Sequence, residues 1–244
     1  MTWIKICGIT NLEDALVAVE AGADAVGFVF YEKSARCVSV ETARGIVEKL
    51  PENVEKIGVF AGGDVEPVDV LHDVGLTGMQ SYLLPEGGMG KKPRKATGAA
   101  CAPPRFRFVV ALPIGLFLEN EASIHGLAAD FANWGNNLPE GAVMPKGMLD
   151  TFLLDSGNPS QPGGTGKAFG WQKAVPLAEG MRVGGLKLVV AGGLTPKNVG
   201  DAIEILRPWG VDVSSGVEAQ LGKKDPEKVK AFVRAVREAD RKAG

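Results

Sequence analysis

The sequence predicts an α/β fold, a single (β/α)8 TIM barrel with an extended loop after its fourth strand. Short apolar runs alternate along the chain with longer segments of helical period, which is typical of successive β/α units over a parallel sheet. The length of 244 residues matches the usual size of such a barrel. In addition, the 33 glycines suit the many tight turns that a barrel of this kind needs between strands and helices.

Eight apolar runs have the length of buried strands. They lie at residues 3–7, 25–30, 55–60, 77–82, 106–112, 149–155, 186–191 and 211–214. Eight parallel strands with intervening helices are enough to close a barrel. The sequence therefore predicts one domain that covers residues 1–244.

Segments with helical periodicity follow several of these strands. Residues 11–21 and 40–50 carry apolar side chains at helical spacing, and Asn11 can cap the first of these helices. Residues 225–238 begin with a cap residue, Asp225, followed by a proline, which is favoured at the first helical position. We expect this segment to form the last helix and to close the barrel.

The stretch 85–105 interrupts the alternation because it is rich in Gly, Pro, Lys and Arg and poor in apolar residues. This composition predicts an inserted loop, and residues 133–148 are similarly loop-like. Six basic residues lie in or beside the insertion: Lys91, Lys92, Arg94, Lys95, Arg105 and Arg107. They permit a polyanion site, although a solvated loop is the favoured interpretation.

The overall composition points to a small-molecule partner. The net charge is −2 and the pI is about 5.8, so the chain has no broad basic field for nucleic acid or a membrane surface. No apolar run approaches the roughly 18 to 20 residues that cross a bilayer, and the N-terminus resembles neither a signal peptide nor a transit peptide. We expect a cytoplasmic protein whose oligomeric state the sequence leaves open.

Cysteine and histidine usage limits the chemistry further. The three cysteines, Cys7, Cys37 and Cys101, are odd in number and widely spaced, unlike a disulfide framework or paired zinc ligands. With His72 and His125 alone, the chain has little material for a histidine-based metal site or catalytic triad. The sequence therefore predicts a reduced compartment and no bound metal.

Side chains alternate in direction along a strand, and the active sites of such barrels lie at the C-terminal ends of the strands, here called the mouth. This alternation, or strand parity, places two reactive side chains in the mouth. If Ile4 and Ile6 face the helices, then Lys5 and Cys7 face the interior, and Asp155 faces inward at the end of the sixth strand. Cys7 is either a small core residue or a reactive thiol whose pKa Lys5 lowers from about 8.5. Asp155 is either a helix cap or ion-pair partner, or a general acid whose pKa is raised by burial.

Glycine-rich segments follow the last three strands, at residues 163–171, 191–199 and 214–218. Barrel phosphate sites form in this region, where backbone N–H groups and a short helix N-terminus can bind a dianion. The candidate phosphate-binding residues are Gly164, Gly192, Gly193, Ser215 and Gly216. The alternative is that these residues only allow tight turns.

Several longer motifs resemble those of phosphoribosylanthranilate isomerases. They are KICGIT at 5–10, GADAVGFVF at 22–30, LLD at 153–155 followed by GGTGKAFGW, AGGLTPKNV at 191–199 and VDVSSGVE at 211–218. The resemblance spans almost the whole chain. It implies an Amadori rearrangement of N-(5-phosphoribosyl)anthranilate to 1-(2-carboxyphenylamino)-1-deoxyribulose 5-phosphate in tryptophan biosynthesis, with neither cofactor nor metal.

The resemblance also implies roles for individual residues. Asp155 would protonate the furanose ring oxygen as general acid, and the Cys7 thiolate would remove the C2 proton as general base. Because SARCV at 34–38 is similar to the family's SPRYV, Arg36 would hold the anthranilate carboxylate rather than being a surface arginine. Asp212, inward by parity in the eighth strand, either contacts the substrate's amino group or orders the mouth.

The chain departs from the family pattern at two places. Where the family has QLHG after the fourth strand, this chain has Gln80, Ser81, Tyr82 and Leu83. Ala35 replaces the proline of the SPR motif. Both changes leave Cys7, Asp155 and the glycine-rich segments intact, so the resemblance still implies activity.

Two other functions remain open. One is the related barrel isomerase of histidine biosynthesis, which would require a pair of aspartates, whereas the first strand here ends in Cys7 and the chain offers one phosphate site. The other is a barrel that has lost catalysis and binds a phosphorylated metabolite or a partner protein. The presence of both Cys7 and Asp155 argues against it.

Overall fold

Eight parallel strands form a closed barrel in the computed structural model of the protein, which describes residues 1–61, 67–82, 106–114, 150–156 and 170–243. The strands are β1 (Trp3–Cys7), β2 (Ala25–Val29), β3 (Glu55–Phe60), β4 (Gly78–Tyr82), β5 (Arg107–Pro113), β6 (Thr151–Asp155), β7 (Lys187–Val190) and β8 (Gly210–Val213). Each strand pairs with the next, and β8 pairs with β1. The predicted barrel is confirmed, and every predicted strand lies where one is observed.

The helices of the described residues pack around this barrel. They are α1 (Leu12–Ala21), α2 (Val40–Val47), α3 (Pro67–Val74), α4 (Val175–Val183), α5 (Val199–Leu206) and α6 (Pro226–Ala243). A short antiparallel hairpin, β9 (Glu218–Gln220) and β10 (Lys223–Lys224), follows β8. None of the helices in the described ranges is long and apolar enough to cross a membrane.

Local sequence explains where the first and last helices begin and end. The Asn11 side chain accepts a hydrogen bond from the Asp14 amide at 2.8 Å and caps α1 as predicted. Helix α6 begins at the predicted proline but continues past residue 238 to Ala243. The extra turn is anchored because the Asp240 carboxylate accepts hydrogen bonds from the amide and hydroxyl of Thr2, just before β1.

Helix α2 ends earlier than predicted. The sequence pattern extended it to residue 50, but it ends at Val47, and the Leu50 amide donates to the Val47 carbonyl at 3.1 Å in a tighter turn. Pro51 follows, and the residue before a proline is disfavoured in helical conformation.

Side-chain parity divides the core into two layers. Ile4, Ile6, Phe152 and Leu154 belong to the large cluster between the strands and the helices. Inside the barrel lies a smaller cluster of Trp3, Ala25, Ile57, Val109, Ala111, Leu153, Val189 and Ala191. The predicted parities of β1 and β6 are therefore confirmed, which directs Lys5 and Cys7 of β1 and Asp155 of β6 inward.

The N-terminal end of the barrel is closed by aromatic and charged residues. Trp3 and Trp209 stack with ring centroids 5.1 Å apart, and the Arg107 guanidinium lies 4.6 Å from the Trp209 ring. Arg107 also donates two hydrogen bonds to the Glu55 carboxylate, at 2.5 and 2.7 Å. The sequence pattern grouped Arg107 with the basic residues of the insertion. The structure instead places it in β5, where its side chain pairs with Glu55 at the closed end of the barrel. Among the described residues, the cavity that reaches the barrel interior lies at the opposite end.

Part of the sequence-based prediction falls outside the described residues. This holds for the insertion at 85–105, the loop-like region 133–148, Gly164 and Cys101. The single domain over residues 1–244 likewise stays a prediction.

Candidate active site

A cavity of about 450 Å³ opens at the C-terminal ends of the strands. The side chains that line it come from most of the barrel: Cys7 of β1, Val29 of β2, Val59 of β3, Gln80 and Tyr82 of β4, Asp155 of β6 and Asp212 of β8. A larger groove of about 970 Å³ lies outside the barrel beside α5 and α6, away from these strand ends. Because polar groups from several strands meet in the mouth cavity, it is the candidate active site.

Cys7 and Asp155, the predicted base and acid, both line this cavity and are both buried. Each is the last residue of its strand, so its side chain stands at the top of the inner layer. Gly8 follows Cys7 with φ of +76°, a left-handed backbone conformation that glycine adopts without strain. The parity argument therefore places both groups where one ligand can reach them.

The electrostatics of Cys7 differ from the sequence-based expectation. Burial raises the pKa of the Cys7 thiol, and the Lys5 ammonium opposes this shift without overcoming it. The carboxylate of Asp212 adds to the increase in pKa. Lys5 thus acts on the thiol pKa in the predicted direction, but the pKa of Cys7 is raised overall, because burial of the sulfur and the charge of Asp212 outweigh the effect of Lys5.

Lys5 is fully buried one layer below Cys7 and is held by two partners. Its Nζ lies 3.1 Å from Asp212 Oδ1 and donates a hydrogen bond to Gln80 Oε1 at 3.0 Å. Burial by itself favours the neutral amine, but Asp212 and Cys7 outweigh it and raise the pKa of Lys5. A positive charge is therefore kept under the thiol. Asp212 is engaged in this ion pair, and both of its predicted roles, contact with the substrate and ordering of the mouth, stay predictions.

Tyr82 is a polar contact of Asp155 that the sequence did not single out as functional. The Tyr82 hydroxyl donates a hydrogen bond to Asp155 Oδ2 at 3.0 Å. Burial, then the charge of Asp155, raises the pKa of Tyr82 well above its usual range. Strand parity could have revealed this residue, because Tyr82 and Gln80 lie on the same inward face of β4.

Arg36 lies in the connection between β2 and α2 and lines the cavity. Its Nε and Nη2 donate to the Glu218 carboxylate at 2.7 and 2.9 Å, and its side chain is only 13% exposed. The alternative of a solvated surface arginine is therefore excluded. Its presence at the mouth fits the predicted carboxylate-binding role, which itself stays a prediction.

Glu218 holds a second cation besides Arg36. The fully buried Lys224 Nζ donates to Glu218 Oε1 at 3.1 Å and to the Ser214 carbonyl at 3.2 Å. Burial opposes ionisation of Glu218, but the hydrogen bonds and charges of Arg36 and Lys224 outweigh it and lower its pKa. Glu218 belongs to the VDVSSGVE motif, yet its two partners could not be recognised from the sequence.

The candidate phosphate-binding residues after β7 and β8 lie side by side. Gly192 and Gly193 have φ of +79° and +66° and line the cavity together with Ser215. Gly216 lies in the 3-10 turn Ser215–Val217, where a Cβ would overlap the Leu194 carbonyl oxygen. Gly216 therefore allows the two segments to pack closely, and phosphate binding by them stays a prediction.

Comparison with known proteins identifies relatives over nearly the whole chain. The family model described as N-(5'phosphoribosyl)anthranilate (PRA) isomerase matches residues 4–80 and 140–235. The N-(5'-phosphoribosyl)anthranilate isomerase of Pelobacter propionicus is 39% identical over 238 residues, which cover 98% of this chain and 97% of the relative. The Thermotoga maritima protein of the same name is 39% identical over 235 residues, or 96% of this chain and 98% of the relative.

Solved structures agree with these sequence relatives. The crystal structure of phosphoribosyl anthranilate isomerase from Thermotoga maritima has a TM-score of 0.71 at 38% identity and covers 98% of this chain and 100% of its own. A phosphoribosyl anthranilate isomerase in complex with reduced 1-(o-carboxyphenylamino)-1-deoxyribulose 5-phosphate has a TM-score of 0.69 at 36% identity, with the same coverage. The protein is an isomerase and belongs to the phosphoribosylanthranilate isomerase family.

Proposed function

We propose that the protein catalyses the Amadori rearrangement of N-(5-phosphoribosyl)anthranilate to 1-(2-carboxyphenylamino)-1-deoxyribulose 5-phosphate, as a step of tryptophan biosynthesis. The observation that carries this proposal is the meeting of Cys7 and Asp155 in one cavity with Arg36 at its rim. The similarity to an isomerase solved with a reduced form of that product supports it.

The proposed reaction needs one acid and one base and no net change in atoms. Asp155 protonates the furanose oxygen, and the C1–O bond breaks to give a Schiff base between C1 and the anthranilate nitrogen. The Cys7 thiolate then removes the proton from C2, and the electrons of the C–H bond form an enolamine. Tautomerisation moves a proton to C1 and leaves a ketone at C2, so no cofactor is required.

The environment of Cys7 suits proton removal from carbon. A thiol whose pKa is raised by burial gives a more basic thiolate, although it is ionised in a smaller fraction of molecules. The Lys5 ammonium below it and the Lys224 ammonium both favour the ionised form. These two buried ammonium groups partly offset the effect of burial, which disfavours the negative charge of the thiolate.

Arg36 is proposed to bind the anthranilate carboxylate, with Glu218 holding its guanidinium in place. Two of the five guanidinium N–H groups are engaged by Glu218, which fixes the plane of the group at the rim of the cavity. A substrate carboxylate can use the remaining donors without ordering the arginine first. Preorganisation of this kind strengthens binding because less side-chain freedom is lost.

Glu218→Gln is expected to raise KM about tenfold while kcat changes by less than about threefold. The amide keeps the shape of the side chain but removes the charge that holds Arg36 and compensates Lys224. Steady-state kinetics measure the effect. Glu227→Gln is the matched control, because Glu227 is exposed and pairs only with Lys230 on α6. A lower KM would contradict the prediction and show that Glu218 competes with the substrate for Arg36.

Gly216→Ala is expected to raise KM at least about tenfold and to weaken inhibition by inorganic phosphate. The added Cβ would overlap the Leu194 carbonyl oxygen and push apart the segments proposed to bind phosphate. Gly200→Ala is the control, because a Cβ there, on α5, meets nothing within 4 Å. Unchanged phosphate inhibition in Gly216→Ala would place the phosphate site elsewhere.

The fluorescence loss of freshly generated phosphoribosylanthranilate tests the proposed function directly. We expect a rate proportional to the concentration of the protein. Absence of turnover together with saturable binding of the substrate would support the non-catalytic barrel instead. Turnover of the aminoaldose of histidine biosynthesis in place of phosphoribosylanthranilate would favour the other isomerase.

A further inference from the structure

The inward face of β4 contributes two polar side chains to the floor and wall of the active site. Gln80 accepts a hydrogen bond from Lys5 Nζ at 3.0 Å, and Tyr82, two residues later, donates to Asp155 Oδ2 at 3.0 Å. The Tyr82 ring also packs against the inner core cluster. One strand therefore contacts both the cation below the thiol and the carboxyl group across the barrel.

The Tyr82 hydroxyl is suited to donate a hydrogen bond and poorly suited to transfer a proton. Because its pKa lies well above the usual range, it keeps its proton throughout the pH range in which the protein works. Its single hydrogen is directed at Asp155 Oδ2. This hydrogen bond restricts rotation of the Asp155 carboxyl group.

We infer that Tyr82 is a positioning residue for the isomerisation: its hydroxyl fixes the orientation of the Asp155 carboxyl group in the active-site cavity. The inference rests on the proposed function, in which Asp155 is the general acid. A tyrosine has two side-chain torsions, so its packed ring holds the hydroxyl at low entropic cost. Asp155 thus meets the furanose oxygen with its carboxyl group already oriented, which is how preorganisation accelerates proton transfer.

Other charged and titratable groups line the cavity together with Asp155. Those in the described part of the chain are Cys7 on β1, Asp212 on β8, and Tyr31, Lys33 and Arg36 on the connection after β2. Replacing Tyr82 with phenylalanine changes none of them and keeps the ring. The variant therefore isolates the hydroxyl that contacts Asp155.

Tyr82→Phe is expected to lower kcat about tenfold, with KM within about twofold of the wild-type value. The titration midpoint of the Asp155 carboxyl is expected to rise by about one pH unit, because a lost hydrogen bond to the carboxylate disfavours its ionised form. The midpoint can be followed by 13C NMR of labelled aspartate, with the Asp155 signal assigned through Asp155→Asn. A merely structural role for the ring would move neither quantity.

Tyr31→Phe is the matched control, because it removes the other tyrosine hydroxyl of the chain, across the barrel from β6. It should leave the Asp155 midpoint unchanged. The inference is overturned if the midpoint does not move in Tyr82→Phe, or if the loss of kcat/KM arises from KM. Failure of the wild-type protein to turn over phosphoribosylanthranilate would instead refute the proposed function, and the NMR titration would still decide whether Tyr82 holds Asp155.

Discussion

Cys7→Ser is expected to lower kcat/KM for phosphoribosylanthranilate at least about a hundredfold, because general bases typically contribute about 100- to 10,000-fold. A hydroxyl loses its proton far less readily than a thiol, so the variant offers almost no anionic base above Lys5. The replacement is small and keeps the contacts of a buried position, since Cys7 is 8% exposed. The loss should therefore appear mainly in kcat.

The fluorescence assay should compare this variant with the wild-type protein and with Cys37→Ser. Cys37 is an exposed free cysteine, so the same replacement there controls for general effects of removing a thiol. We expect Cys37→Ser to retain wild-type kinetics. Activity of Cys7→Ser within about tenfold of the wild-type value would move the base to another residue.

The thiolate requirement also predicts the direction of the pH dependence. The raised pKa of Cys7 means that acid removes the thiolate form, so kcat/KM should fall as the pH is lowered. A rate that stays constant in acid would count against Cys7 as the base. The ultraviolet absorbance of the thiolate, compared between wild type and Cys7→Ser, reports the same ionisation without turnover.

Much of the barrel follows from patterns that are local in sequence. The alternation of apolar runs and helical segments predicts the eight strands because each strand of a parallel barrel is buried on both faces. Parity along β1 and β6 then places Cys7 and Asp155 in one mouth, since the direction of a side chain in a strand depends only on its position. The longer α6 depends instead on the tertiary contact of Asp240 with Thr2, whereas the early end of α2 agrees with the local signal of Pro51.

The charges around the candidate site were harder to predict because their partners are distant in sequence. Lys5 meets Gln80 and Asp212 only after the barrel closes, and Arg36 meets Glu218 across 182 positions of the chain. The sign of the shift in the Cys7 pKa depends on how far burial outweighs Lys5, which no motif encodes. Sequence reasoning thus placed Cys7 and Asp155 in one cavity but misjudged the net shift of the Cys7 pKa.

Asp155→Asn is expected to lower kcat at least about a hundredfold, because the amide has the shape of the acid but cannot protonate the furanose oxygen. Tyr82 can still donate its hydrogen bond to the amide oxygen, so the local packing should persist. The fluorescence assay measures kcat and KM, and thermal unfolding checks that the variant is folded. KM should change little if the residue acts mainly in the chemical step.

Asp150→Asn is the matched control, because Asp150 directly precedes β6, at the end of the strand opposite Asp155, and pairs with Lys187 at the closed end of the barrel. It should keep wild-type kinetics. If Asp155→Asn also kept kcat within about tenfold, the general acid would have to be another group at the mouth. Tyr82 would be a poor replacement, since its raised pKa opposes proton transfer.

Because Tyr82 is proposed to act through Asp155, Tyr82→Phe should cost little further activity in the Asp155→Asn background, whereas independent roles would multiply the two losses.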